Sequence, residues 1–291
     1  MRHFKFNSFH HFLSDMEEYH RANLHVRSRD SINGSPSWNK STSFEHALEI
    51  AKYGEKTNNT EIYSETEVKS SMNELTLIQA VSGQHVDIGD YLMGIPECMR
   101  DYDIANPIKF VDLLVDVAEP VITGPKEMMN RATAIASQID NLESDGHRVR
   151  VSISMYVDFD RAEPISVMIP VKDYSEVFSI EELYGALHPA TFRRLLLGWM
   201  EKIFNNRIEP GYGHPSSLEN KVAASKVLSG NPEVIFMPSI HTGHQYKDFD
   251  LTNVVGAIEF VEHWIKNPIA NELMGGGNQT ETEIDSGELE L

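Results

Sequence analysis

Apolar positions recur along this chain with two different periods, and the change between them is sharpest in the middle. From residue 109 to 117 they run almost without a break, Phe110, Val111, Leu113, Leu114, Val115 and Val117 being interrupted only by Asp112 and Asp116. That is the pattern of a strand covered on both faces in a parallel sheet. Over 126–142 the period becomes helical, with Met128, Met129, Ala132, Ile135, Ala136, Ile139 and Leu142 on one side and Asn130, Gln138 and Asn141 on the other. Asp145-Gly146 ends the helix, because glycine enters the left-handed region at lowest cost. Val149, Val151, Ile153 and Met155 then alternate with Arg148, Arg150, Ser152 and Ser154, which predicts a strand with one buried face. Strand, crossover helix and strand together predict a parallel pair with the helix packed across it.

The same reading extends outward. Phe4, Phe6, Phe9, Phe12, Leu13, Met16 and Tyr19 suit a short amphipathic helix over about 8–23, docked by its aromatic face or held as an arm. Ser43 caps a helix over 44–53 that Gly54 stops, with Trp38 packed against it. Residues 56–71 are polar and read as a loop. Two short strands follow about a turn at Ser82-Gly83, then a one-turn helix and a proline bend. Residues 164–172 form an antiparallel neighbour of the second central strand, and Pro170 predicts that it lies at a sheet edge. Helices are expected over 180–187, 191–205, 218–228 and 250–265, and a buried strand over 233–237. The division is an N-terminal arm (1–36), an α+β extension (37–105), an α/β domain with a mostly parallel central sheet and helices on both faces (106–268), and a disordered acidic tail (269–291).

Charge narrows the classes of function. A formal net charge of -19 opposes broad phosphate binding, which depends on clustered Lys and Arg, although local basic patches remain compatible with it. No window approaches the roughly 20 apolar residues of a membrane span. Residues 1–19 lack a secretory pattern, and the single Cys98 excludes an internal disulfide, so a cytoplasmic protein is expected. Cys98 itself reads as a buried structural thiol.

Candidate chemistry is sparse. Asp112 and Asp116 are four apart on a strand and share a face, and Asp116 ends it at the carboxyl edge where open α/β sheets bind ligands. The residues that follow supply too few oxygens for a hard metal ion. His241 and His244, with His214, could approach one another, but no cysteine or HExxH pattern supports zinc, and solvated loop histidines explain them as well. There is no phosphate loop, GxGxxG or GxSxG, and nothing nominates a nucleophile with a base beside it, so no cofactor is expected and a metal-dependent hydrolase built on the histidine loops ranks last. Arg148, Arg150, Arg161, Arg193 and Arg194 are the densest cationic region outside the N-terminus; they suit a protein partner or a nucleic acid, or else internal pairing with the surplus carboxylates.

The order of elements from about 107 to 266 resembles a von Willebrand factor A-like domain. More narrowly, FVDLLVDVAEP, RATAIASQIDNLESDGHRVRV and LHPATFRRLLLGWMEK look like an uncharacterised group of such proteins encoded mainly by bacteriophages, and SWNKSTSFEHALEIAKYGE and VDIGDYLMGIPECM are similar to its upstream part. The resemblance implies a metal-ion-dependent adhesion site of the form Asp-x-Ser-x-Ser after the first strand. Here that stretch is Asp116-Val117-Ala118-Glu119-Pro120, with both serines replaced, so the site is degenerate and no metal is expected. What remains implied is a non-enzymatic adaptor in an infected host cell, with a phage or host protein as partner, such as a AAA+ ATPase or a polymerase. The alternative is an accessory factor for phage transcription or replication that binds single-stranded DNA.

Overall fold

The computed structural model describes residues 2–22, 34–54, 77–81, 85–102, 109–119, 123–157, 163–176, 179–204, 218–239 and 249–266. In chain order the elements are β1 (Arg2–Lys5), α1 (Phe9–Ala22), α2 (Pro36–Asn39), α3 (Phe44–Tyr53), β2 (Leu77–Ala80), β3 (His85–Val86), α4 (Ile88–Leu92), β4 (Met99–Tyr102), β5 (Phe110–Asp116), α5 (Pro125–Ser144), β6 (Arg148–Val157) and β7 (Ile165–Lys172). They continue with α6 (Ile180–Leu187), a π-helical stretch Thr191–Leu196 running into α7 (Leu197–Ile203), α8 (Leu218–Ser229), β8 (Ile235–Met237) and α9 (Val254–Lys266).

The main sheet has the order β1-β7-β6-β5-β8. β5 lies parallel to β6, with Val115 opposite Ile153 and Asp116 opposite Ser154, and parallel to β8; β6 and β7 are antiparallel. The result is a mixed α/β fold around a mostly parallel sheet. Local sequence explains its helices. Pro125 opens α5, where the Glu127 carboxylate accepts from the Gly124 N–H at 3.1 Å, and Gly146 closes it at φ 85°. Ser43 Oγ accepts from the His46 N–H at 3.1 Å to start α3, and Gly54 donates to the Ile50 carbonyl at its end. α3 and α6 cross at backbone distance, since a Cβ on Gly185 would stand 2.3 Å from the Ala51 carbonyl oxygen.

Two apolar layers cover the sheet. On one face Leu113, Val115, Val151 and Ile153 join Phe9, Phe12, Phe44, Ile135 and Trp264 in the main core; on the other, α8 closes a smaller cluster of Leu114, Met168, Val222, Leu228, Val234 and Phe236. Each large side chain buried in this way contributes about 1.5–3 kcal/mol.

Several expectations change. Ser152 and Ser154 are buried, because α8 lies over the face that the alternation assigns to solvent. Pro170 is not on an edge strand: β1 adds to β7 in parallel, pairing Arg2 to Lys5 with Ile165 to Met168. The proline lies just beyond that pairing and beside the irregularity at Val151/Ser152, so its missing N–H interrupts no ladder. β2 and β3 do not form a hairpin with each other; both pair with β4 in a separate sheet of order β2-β4-β3. Cys98 is partly exposed rather than buried. The loop 56–71, the tail 269–291, Arg161, His214, His241 and His244 lie outside the described residues.

Candidate functional site

The parallel strands β5 and β8 end together, and Asp116 stands at that edge with its carboxylate 1% exposed. Its Oδ1 accepts from the Ala118 N–H at 3.0 Å and its Oδ2 accepts from the Lys221 ammonium, which α8 brings down onto the sheet. Lys221 is itself buried and reaches Ser239 Oγ at 3.4 Å. Three residues on, Glu119 accepts from Arg131 Nη1 at 2.8 Å and from Thr123 Oγ1 at 3.5 Å. Arg131, on the inner side of α5, also donates to the carbonyls of Asp116 at 3.0 Å, Met237 at 3.2 Å and Pro238 at 2.6 Å. One guanidinium thus ties the ends of both strands to the crossover helix. Burial pulls its pKa down, while the charges of Glu119 and Asp116 pull it back up.

Two carboxylates are thereby matched by two cations that belong to the protein. The space beside Asp116, bounded by Ser154, Ser166 and Ser225, is about 10 Å³, room for a single water at most. Among the described residues no group of three or more His, Cys, Asp or Glu could hold a metal ion.

Among the described residues, the arginines singled out by sequence have separate roles. Arg193 and Arg194 are each 1% exposed. Arg193 donates to the Thr123 carbonyl at 3.2 Å and the Trp38 carbonyl at 3.0 Å; Arg194 donates to Ser41 Oγ at 2.8 Å and to the Ser41 carbonyl at 3.2 Å. The π-helical turn beneath them sets successive side chains closer in direction than an α-helix does, so neighbouring residues both point inward. Burial lowers both pKa values, against the raising fields of Glu119 on Arg193 and Glu45 on Arg194. Arg150 forks onto Asp112 at 2.7 and 3.0 Å and lies 5.0 Å over the Tyr174 ring. Burial pushes the Asp112 carboxyl up, but hydrogen bonds from Tyr174, Asn231 and Arg150 outweigh it and leave the group below its ordinary value. The Tyr174 hydroxyl is pushed up to about 12 by burial and by Asp112. Arg148 is exposed.

A groove of about 660 Å³ lies at the other end of the sheet, between Lys5, Ser8, Pro170, Glu176 and Glu182. Its lining mixes both signs, and its interior cations are engaged: Lys172 with Glu143 at 2.7 Å, Arg150 with Asp112. Glu182 is pushed up by burial and by Glu176. Among the described residues no set of groups there converges on one ligand chemistry. Among the described residues no helix is long and apolar enough to cross a membrane.

Sequence reasoning missed Arg131, Glu119 and Lys221. A family model described as a domain of unknown function (DUF7192) matches residues 2–261. No curated protein and no solved structure matches the chain.

Proposed function

The chain belongs to the DUF7192 family, and from that premise we propose that it is a non-enzymatic accessory protein of bacteriophage type, whose von Willebrand factor A-like domain joins proteins in a complex in the cytoplasm of the infected cell. The order of elements from β5 to α9, with β7 antiparallel, supports the A-like reading. The observation that carries the function is the filled carboxyl edge, where such a domain would hold its metal. The residues do not fit an ion. Both oxygens of Asp116 are engaged, Ala118 and Pro120 replace the serines, and the Lys221 ammonium and Arg131 guanidinium already supply the positive charge. With Asp116 engaged in this way among the described residues, the reading places the scaffold's role on its outer surface.

The nucleic-acid alternative loses its strongest support, because Arg193 and Arg194 serve backbone carbonyls in the interior. Capture of the tagged full chain from phage-infected cells, with and without nuclease and with and without chelator, tests the proposal. A stoichiometric protein partner that survives both treatments is expected. Release by chelator would overturn the metal-free reading, and recovery of polymerase or replication proteins only with nucleic acid intact would put the DNA-binding alternative ahead.

A further inference from the structure

The short helix α4, between β3 and β4, carries exposed apolar side chains. Along α4, Ile88, Tyr91 and Leu92 stand at i, i+3 and i+4, the spacing that makes one stripe on a helix, and they are 71%, 65% and 77% exposed. Met93, Val86 and Val81 are also exposed, at 70%, 52% and 73%, and no residue of α4 is buried. The segment is nonetheless built. Asp87 accepts from the N–H groups of Gly89 and Asp90 at 3.0 and 3.2 Å, Gln79 of β2 donates to Asp90 at 2.9 Å, and the Asp87 N–H donates to the Cys98 carbonyl at 2.8 Å. Among the described residues the other exposed large apolar side chains, such as Tyr53, Phe110, Val227 and Val255, belong to separate elements. A contiguous apolar stripe on a capped helix marks an interaction surface, whereas single exposed residues are ordinary.

The charge around the stripe selects its occupant. Asp87 and Asp90 adjoin the stripe on α4, and Glu97 follows it as an exposed carboxylate. A second copy would bring the same acidic rim face to face with this one, and the chain's charge of -19 opposes polyanions and anionic lipid. Resting on the interaction reading above, we propose that this face docks a protein segment in which apolar side chains are flanked by lysine or arginine, in the manner of a basic amphipathic helix.

The test uses the full chain and a fluorescent amphipathic peptide with leucine at helical spacing and lysine elsewhere, alongside the same peptide with glutamate for lysine. Anisotropy should report saturable one-to-one binding of the lysine peptide and none of the glutamate peptide. The double variant Ile88→Ser, Leu92→Ser keeps the charge and, its changes being on exposed side chains, should keep the circular dichroism melt; it should bind at least about tenfold more weakly. Equal binding by the variant would reduce the effect to bulk charge and overturn the proposal, as would absence of binding to the wild type. So would self-association of the wild type that the variant abolishes, which would make the occupant a second copy. The capture experiment separates the two readings. A partner lost with the double variant supports this surface, a partner retained by it places the interface elsewhere, and no partner for the wild type sinks the interaction reading itself.

Discussion

Lys221 and Asp116 meet where neither reaches solvent, so each is tolerated only because of the other. Removing one partner of such a pair leaves an uncompensated buried charge and costs about 3–5 kcal/mol, whereas replacing both with neutral groups is often nearly neutral. Lys221→Met should therefore lower the unfolding free energy by about that amount in urea titrations, and adding Asp116→Asn should recover most of the loss. A double variant no more stable than the single one would show that the pair does not act as a unit. The residues of this edge were only partly legible. Arg131 stands three after Met128 and four before Ile135, inside the apolar row of α5, and a charge at that phase is a readable sign of a buried role. Its acceptors on Met237 and Pro238, 106 and 107 positions away, leave no local trace. The pattern around Arg193 and Arg194 is that of an ordinary helix and leaves open a partner or internal pairing with carboxylates; the backbone carbonyls they serve were not legible, because a π-turn has no periodic signature.

Among the elements, α1 docks on α3 through a polar contact as well as an apolar one. The His20 ring stacks on Phe44 with centroids 4.5 Å apart and its Nε2 lies 2.6 Å from Glu45 Oε1. That hydrogen bond, helped by backbone and Ser43 contacts, holds the Glu45 carboxyl down at about 2. A carboxyl depressed in the folded state stabilises above its unfolded value of 4.5, and the contribution is lost as pH falls from there through about 2. Unfolding titrations at descending pH should show this loss, and Glu45→Gln should flatten it. The effect is modest because the glutamate side chain is 64% exposed. An unchanged acid slope in the variant would remove Glu45 from the account. α1 was readable over almost its full length, since its aromatic spacing is helical. β1 was not: Arg2, His3, Phe4 and Lys5 are too few and too polar to announce a strand, and only β7 gives them a partner. The same hidden pairing moved Pro170 off the edge.

At the scale of the molecule, the N-terminal segment is part of the main body. Phe9, Phe12, Leu13 and Met16 are at most 3% exposed and share one core with Leu113 and Ile135. Deleting residues 1–22 removes both a sheet strand and this aromatic layer, so the truncated chain should lose its cooperative thermal transition; a retained sharp transition would show that the remainder folds alone. The parallel unit β5-α5-β6 was legible because its contacts are close in sequence and its periods are clean, whereas the assembly around it depends on pairings that composition does not encode. The parallel ladder of β1 on β7 sets a timetable for synthesis. His3 leaves the ribosome 163 residues ahead of its partner Ser166, so the N-terminal aromatics wait without their sheet while most of the chain is made. Loop closure over that span is among the slow steps of folding, so the aromatic face of α1 is the last part of the core to find its sheet.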